Sequence, residues 1–218
     1  MKHLAILRAL VLVACTQAPH QAIEETAQAV QETVEPQPIV IVAFGDSLTA
    51  GTGVAENESY PAQLEQLLRA KGYDTTVINM GVSGETSSGA LSRIDDVRSQ
   101  KPDIVILETG VNDILRGVPT NTTRTNIETI IEKLQEENVT VILAGMEAYG
   151  TFQGYNFEVR TMYPDIAEKY NTPFIPFFLA GVAGNPQRNL PDYVHPNAQG
   201  YAVIAAYNVL PVVEAHLN

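Results

Sequence analysis

The chain has 218 residues, of which 45% are hydrophobic and 17% charged, and its formal net charge is −12. This length is sufficient for one packed domain and short for two. The acidic balance argues against nucleic acid as a partner, because binding to a phosphate backbone needs a clustered basic face and the sequence has none.

The first 15 residues have the pattern of a bacterial secretory signal. A basic start is followed by an apolar run over residues 4–14, interrupted by Arg8, and then by Cys15. This ending resembles the lipobox, in which the cysteine becomes the lipidated first residue of the mature protein. We therefore predict that residues 1–15 are a signal peptide and that the protein is exported and lipid-anchored in the bacterial cell envelope or periplasm. Ordinary secretion and an uncleaved tail are the alternatives.

Residues 16–38 are rich in Gln, Glu, Thr, Ala and Pro, with four glutamates and no Lys or Arg. Such a composition buries little apolar surface and is typical of a tether. A frayed helix over residues 22–34 is the alternative. Elsewhere, no apolar run approaches the roughly 20 residues of a membrane-spanning helix. We therefore expect membrane contact only through Cys15.

From residue 39 onward, apolar β-branched runs alternate with segments of helical period, which we assign to one domain over residues 39–218. The predicted strands are residues 39–44, 75–79, 104–107, 139–143 and, more weakly, 174–176. One helix opens at Ser59 and Pro61 and carries Leu64, Leu67 and Leu68, and another carries Ile127, Ile130, Ile131 and Leu134. This alternation predicts a three-layer α/β/α sandwich around a parallel sheet, with the functional loops at the carboxyl ends of the strands.

The first strand runs into Gly45-Asp46-Ser47-Leu48. Ser47 is a candidate nucleophile, and a helix-capping serine is the alternative. A serine hydroxyl needs a base, which is usually a histidine. Of the four histidines, at positions 3, 20, 195 and 216, His195 alone lies in a loop within the predicted domain. Asp192, three residues earlier, can accept the Nδ1–H of His195 and fix its tautomer. A capping aspartate beside an incidental histidine is the alternative.

Two further loops offer donors to a developing oxyanion. Gly84 follows the second strand, where a glycine N–H can approach a substrate without side-chain obstruction. Asn112 follows the third strand, and its amide is a neutral donor. Each loop taken alone is also consistent with an ordinary turn.

Taken together, these four segments resemble the four sequence blocks of the SGNH/GDSL hydrolase family, in order. They are Gly-Asp-Ser-Leu, a glycine after strand two, Gly-x-Asn-Asp after strand three, and Asp-x-x-His before the last helix. The resemblance implies a flavodoxin-like sheet of about five strands. It also implies Ser47 as nucleophile with Asp192 and His195. The Ser47 N–H, the Gly84 N–H and the Asn112 side chain would form the oxyanion hole.

Within the family, residues 83–87 (Ser-Gly-Glu-Thr-Ser) and 112–117 (Asn-Asp-Ile-Leu-Arg-Gly) are most similar to the signatures of the bacterial acyl-CoA thioesterase I/lysophospholipase L1 (arylesterase) branch. We accordingly expect Asp46, Ile114, Leu115 and Glu147 to contact substrate. Glu147 departs from the branch, whose members tend to have an apolar, proline-containing loop after strand four. A glutamate there would shorten or polarise the acyl pocket.

The predicted function is a serine esterase that hydrolyses carboxylic esters, and acyl thioesters or lysophospholipids, through an acyl-serine intermediate. The expected substrate is a small molecule, and we expect the protein to be a monomer. We also expect no metal or organic cofactor, because the sequence has a single cysteine and His195 already has a role as the base, so no cluster of metal ligands is evident. A carbohydrate or peptidoglycan O-acetyl esterase is the alternative enzyme. An inactive envelope-anchored binding protein is the alternative of another class.

Overall fold

The computed structural model of the chain describes residues 37–147 and 153–217. The predicted signal peptide with Cys15, and the predicted tether as far as residue 36, lie outside these residues. No helix among the described residues is long and apolar enough to cross a membrane.

A five-stranded parallel sheet forms the centre of the described fold. Its strands are β1 (Ile39–Gly45), β2 (Thr75–Gly81), β3 (Ile104–Glu108), β4 (Thr140–Ala144) and β5 (Phe174–Ile175). Their spatial order is β2-β1-β3-β4-β5, and each neighbouring pair is parallel. This is the flavodoxin-like order, in which the direction of winding reverses between β1 and β3. The predicted α/β fold class is confirmed.

Each predicted strand is present, and its ends differ from the prediction by one or two residues. The central strand β3 is buried along its whole length, whereas the edge strand β2 is partly exposed. Continuous apolar runs therefore identified the inner strands well. The strand β5 stops at Ile175, because Pro176 has no N–H to donate to a neighbouring strand.

The sheet is surrounded by helices of four to eighteen residues. They are α1 (Ser47–Ala50), α2 (Tyr60–Ala70), α3 (Ser87–Ser92), α4 (Ile94–Ser99), α5 (Val111–Arg116), α6 (Thr120–Gln135), α7 (Gln153–Tyr170), α8 (Ala198–Val203) and α9 (Leu210–Glu214). A 3₁₀ turn (Glu56–Glu58) precedes α2, and a π-helical turn (Ile204–Val209) joins α8 to α9.

The two predicted amphipathic helices are α2 and α6, and both bury the expected face. In α6 the four apolar positions with helical spacing are all completely buried, namely Ile127, Ile130, Ile131 and Leu134. In α2, Leu64 and Leu68 are completely buried and Leu67 is half-buried against the core. Full burial of such a side chain stabilises the fold by about 1.5–3 kcal/mol.

The helices pack in two groups. One group comprises α2, α8, α9 and the π-helical turn, and the other comprises α3, α5, α6 and α7. The first group contacts the sheet through β2 and the second through β4. Sheet and helix groups together give the three layers predicted from the sequence.

Pro196 does not start the last helical segment. Helix α8 begins at Ala198, and the side chain of Asn197 caps it by accepting the Gly200 N–H at 3.0 Å. Pro196 pairs instead with Asn189 in an antiparallel bridge. An asparagine is a strong helix cap, so the boundary falls after the proline.

Candidate active site

Ser47 is the first residue of α1, and only Asp46 separates it from the end of β1. The helix is capped by the preceding aspartate, because Asp46 Oδ1 accepts the Leu48 N–H at 3.0 Å. The capping role considered for Ser47 is thus filled by its neighbour. The serine hydroxyl is left to line a cavity at the carboxyl edge of the sheet.

Ser47, His195 and Asp192 form a continuous hydrogen-bonded chain. His195 Nε2 lies 3.0 Å from Ser47 Oγ, across 148 residues of sequence, and His195 Nδ1 lies 2.7 Å from Asp192 Oδ2. The distances match those of a serine nucleophile, its base and an orienting carboxylate. The three residues brought together from the sequence are adjacent in the fold.

Asp192 determines the tautomer of the histidine. The hydrogen bond from the His195 ring, followed by the backbone N–H groups of His195 and Val194, lowers the pKa of Asp192 to about 2. Asp192 is therefore ionised at neutral pH and can only accept hydrogen bonds. The proton of the neutral imidazole consequently lies on Nδ1, and the Nε2 lone pair faces the Ser47 hydroxyl.

The loop that carries this pair is held by its own backbone. The Leu190 N–H donates to the His195 carbonyl at 2.8 Å, next to the bridge between Asn189 and Pro196. The Asn189 side chain in turn donates to the Val182 carbonyl at 2.7 Å. These bonds close the loop on itself and fix the position from which the imidazole reaches Ser47.

Asn112 lies in α5 and lines the same cavity as Ser47 and His195. Its Nδ2 donates one hydrogen bond to Asp46 Oδ2 at 3.2 Å, which leaves the second amide hydrogen free of that bond. Asp46 itself is completely buried and does not line the cavity. The prediction that Asp46 contacts substrate is therefore wrong, because its carboxyl group faces the protein interior and orients Asn112.

Burial raises the pKa of Asp46 to about 6, against the opposing effect of its hydrogen bonds. A second buried carboxyl group lies beside it. Glu108 ends β3, and its Oε2 accepts the Asp46 N–H at 3.2 Å. Glu108 was not among the site residues predicted from the sequence. The signal in the sequence was an acidic residue directly after the apolar run Ile104–Leu107, at a position where a buried strand would keep its charge away from solvent.

The loop after β2 is held by two side chains of α5. Asp113 accepts both the backbone N–H and the hydroxyl of Ser87, at 2.7 and 2.6 Å. Arg116 donates to the Gly84 carbonyl at 2.7 Å. Gly84 has a φ of +79°, a left-handed conformation that glycine adopts readily. Gly84 does not line the cavity, so its N–H role rests on the resemblance.

The cavity beside Ser47 has a volume of about 510 Å³ and is lined mainly by apolar side chains. The predicted substrate contacts Ile114, Leu115 and Glu147 all lie in its wall. Leu115 is 62% exposed at the cavity mouth, whereas Ile114 is buried. Wall residues that the sequence did not single out come from the segment after β5 and from the histidine loop, namely Leu179, Ala183, Gly184, Asn189, Tyr193 and Val194.

Within residues 37–147 and 153–217, no group of three or more His, Cys, Asp or Glu residues is arranged to hold a metal ion.

A family model described as GDSL-like Lipase/Acylhydrolase family matches residues 43–203. Among curated proteins, the chain is 31% identical over 205 residues to an arylesterase of Vibrio mimicus, covering 92% of this chain and 94% of that protein. It is 30% identical over 167 residues to thioesterase 1/protease 1/lysophospholipase L1 of Escherichia coli (strain K12), covering 76% of this chain and 79% of that protein.

Solved structures give the same relationship. The crystal structure of AlinE4, described as an esterase of the SGNH-hydrolase family, superposes with a TM-score of 0.69 at 41% identity. The match covers 83% of this chain and 98% of that one.

The geometry predicts that a fluorophosphonate probe labels Ser47. Ser47→Ala should abolish labelling, and His195→Ala should be at least as damaging as Asp192→Asn. The latter should slow labelling by up to about 10⁴-fold, the size of its effect on kcat in serine protease triads. Intact-protein mass spectrometry over time measures each rate.

His216→Ala is the matched control, since His216 is exposed and its Nδ1 lies 2.8 Å from the Val212 carbonyl, away from the serine. It should be labelled at the wild-type rate. Labelling that survives in His195→Ala and is lost in His216→Ala would move the base to His216, in the turn that follows α9.

Proposed function

The chain belongs to the GDSL-like lipase/acylhydrolase family and is a serine ester hydrolase, and we propose that it works through an acyl-serine intermediate on Ser47. The observation that carries this proposal is the 3.0 Å contact between Ser47 Oγ and His195 Nε2. A serine that is merely structural has no need of an oriented imidazole. The same contact argues against the alternative of an inactive binding protein.

In the first half-reaction, Ser47 Oγ attacks the ester carbonyl carbon while its proton passes to His195 Nε2. The carbonyl oxygen becomes an oxyanion. It is stabilised by the Ser47 N–H, the Gly84 N–H and the free amide hydrogen of Asn112, and one such donor commonly contributes about 3 kcal/mol. The imidazolium then protonates the leaving alcohol or thiol, and the acyl group remains on the serine.

In the second half-reaction, water takes the place of the alcohol. His195 accepts a proton from the water, whose oxygen attacks the acyl carbon, and the collapsing oxyanion expels Ser47 Oγ, which recovers its proton. The product is a carboxylic acid. Ionised Asp192 stabilises the imidazolium in both halves, and its low pKa keeps it charged throughout. All these groups come from one chain, so the mechanism requires no second copy.

The cavity supports a substrate with an apolar acyl chain. Leu48, Val111, Ile114 and Leu179 are among its apolar wall residues, and the volume of about 510 Å³ far exceeds the space that an acetyl group fills. The named activities of the relatives include arylesterase, thioesterase and lysophospholipase. We therefore propose esters, and also thioesters or lysophospholipids, with acyl chains longer than acetyl.

One observation favours the second candidate, an O-acetyl esterase of carbohydrate or peptidoglycan. Glu147 and Asn189 contribute polar groups to the cavity wall, and such groups can bind sugar hydroxyls. In that case the alcohol part of the substrate would occupy the cavity and the acyl part would be small. The length of the preferred acyl chain distinguishes the two enzymes.

We predict that kcat/KM for p-nitrophenyl esters rises from acetate to butyrate and octanoate. Each buried methylene contributes up to about 0.8 kcal/mol, or roughly fourfold. Glu147→Gln should raise the ratio of octanoate to acetate activity by removing a charge from the wall. Initial rates over the ester series measure both effects.

Glu168→Gln, an exposed change on α7, is the control and should leave the ester profile unaltered. A maximum at acetate in the wild type would reject the acyl-chain proposal in favour of the O-acetyl esterase.

We also propose that the protein is exported and lipid-anchored at Cys15. The supporting observations are the basic start, the apolar run over residues 4–14 and the position of Cys15, the only cysteine, directly after it. This proposal concerns location alone and does not affect the chemistry at Ser47.

If Cys15 is lipidated, wild-type protein made in a bacterial host should enter the detergent phase in a detergent phase partition, and Cys15→Ser should move it to the aqueous phase. Ser47→Ala keeps the anchor and should partition like the wild type. Wild-type protein found wholly in the aqueous phase after export would disprove the anchor.

A further inference from the structure

Glu108 is a buried carboxyl group that the proposed mechanism does not use. It is completely buried at the end of β3, the central strand that pairs with β1. Its Oε2 accepts the Thr49 hydroxyl at 2.8 Å and the Asp46 N–H at 3.2 Å. Its Oε1 has no hydrogen-bond partner among the described residues. Burial of a carboxyl group without a full set of hydrogen bonds lowers the stability of the fold, which indicates that Glu108 has a role beyond packing.

The space around Glu108 is shaped to receive it. A Cβ on Gly45 would lie 2.6 Å from Glu108 Oε2 and 2.3 Å from Thr49 Oγ1. The glycine of the serine block therefore leaves room for this carboxyl group behind α1. Glu108 is the acceptor that joins β1 and α1, through the residues on either side of Ser47.

We infer that Glu108 is a positioning residue of the esterase site: it fixes Asp46, and through Asp46 it fixes the amide of Asn112. The chain of contacts runs from Glu108 Oε2 to the Asp46 N–H, and from Asp46 Oδ2 to Asn112 Nδ2. One amide hydrogen of Asn112 is held in this way, so the other has a defined direction. The inference rests on the proposed role of Asn112 as an oxyanion donor.

The electrostatics of the two buried carboxyl groups favour one shared negative charge over two. Burial, followed by the charge of Asp46, raises the pKa of Glu108 well above its ordinary value, which favours the protonated form of Glu108. Asp46 is ionised above about pH 6. The other titratable groups that face the pair are Tyr60 on α2 and Tyr201 on α8, and burial raises the pKa of both phenols, which stay neutral.

This distribution of charge suits the positioning role. A hydrogen bond to an ionised acceptor is shorter and stronger than one to a neutral acceptor, so charged Asp46 holds the Asn112 amide firmly. A second charge on Glu108 would repel Asp46 at close range and disturb that arrangement. A neutral Glu108 still accepts the Asp46 N–H and the Thr49 hydroxyl through Oε2.

The positioning role is tested by a double-mutant cycle with Glu108→Ala and Asn112→Ala. Asn112→Ala should lower kcat by about 10²–10³-fold, as removal of an oxyanion donor does. Glu108→Ala should lower kcat by less than this, with KM little changed, and should have almost no effect in the Asn112→Ala background. Glu108→Gln keeps an acceptor and should restore kcat to within about threefold of wild type, since the amide oxygen of glutamine can accept the same hydrogen bonds.

The control for activity is Glu65→Ala, which removes a carboxylate that accepts the Val77 N–H at the distant face of α2 and should leave kcat unchanged. Additive losses for Glu108→Ala and Asn112→Ala would overturn the route through Asn112. If Glu108→Ala does not fold, Glu108→Gln provides the test. A folded Glu108→Gln enzyme with a kcat as low as that of Asn112→Ala would also overturn the route through Asn112.

The protonation of Glu108 is tested without any activity measurement, so it stands apart from the proposed function. An acid whose folded pKa is raised binds more protons in the folded state, and stability therefore falls as pH rises above the unfolded pKa. Glu108→Gln removes this penalty. The Tm of Glu108→Gln minus that of wild type should increase from about pH 5 to pH 8, whereas the difference for Glu65→Gln should not. A difference for Glu108→Gln that is constant with pH would show that Glu108 is ionised and overturn the shared charge.

Discussion

Parallel pairing of β1 with β2 on one side and with β3 on the other is the constraint on which the site depends. Because the strands are parallel and in register up to Gly45, Gly81 and Glu108, the segments that follow them begin at the same edge of the sheet. Ser47, the Gly84 loop and Asn112 therefore start out as neighbours, although they are far apart in the sequence. The carboxyl edge next to the switch point of such a sheet is where ligands bind.

The residues around the site form two groups: some line the cavity, and others lie behind the cavity residues and fix their positions. Ser47, His195 and Asn112 face it, whereas Asp46, Glu108 and Asp113 lie behind them, completely buried. Asp46 and Glu108 accept hydrogen bonds from segments that carry cavity residues, whereas Asp113 holds the loop after β2 through Ser87. Their burial is unfavourable alone and is offset by those bonds, so the site gains defined geometry at some cost in stability.

The fold was largely predictable from the sequence, because the inner strands are continuous apolar runs and α6 has a regular apolar face. The proximity of Ser47, His195 and Asp192 was also predictable, since Asp192 and His195 share one short loop and the four blocks occur in order. The role of Asp46 was not. Whether a carboxyl group beside Ser47 faces the cavity or the interior depends on its contacts with Leu48, Asn112 and Glu108, which are set by tertiary packing. Glu108 was missed for the same reason, since its function lies in a contact across the sheet.

The acyl-serine mechanism is tested most directly by locating the acyl group on the protein during turnover. The enzyme is mixed with p-nitrophenyl butyrate, quenched in acid within milliseconds, digested and mapped by mass spectrometry. An acyl-serine mechanism predicts a butyryl group on Ser47 in the peptide that spans β1 and α1, and none in Ser47→Ala. A butyryl group on any other residue, or steady turnover with that peptide unmodified throughout, would contradict the acyl-serine mechanism.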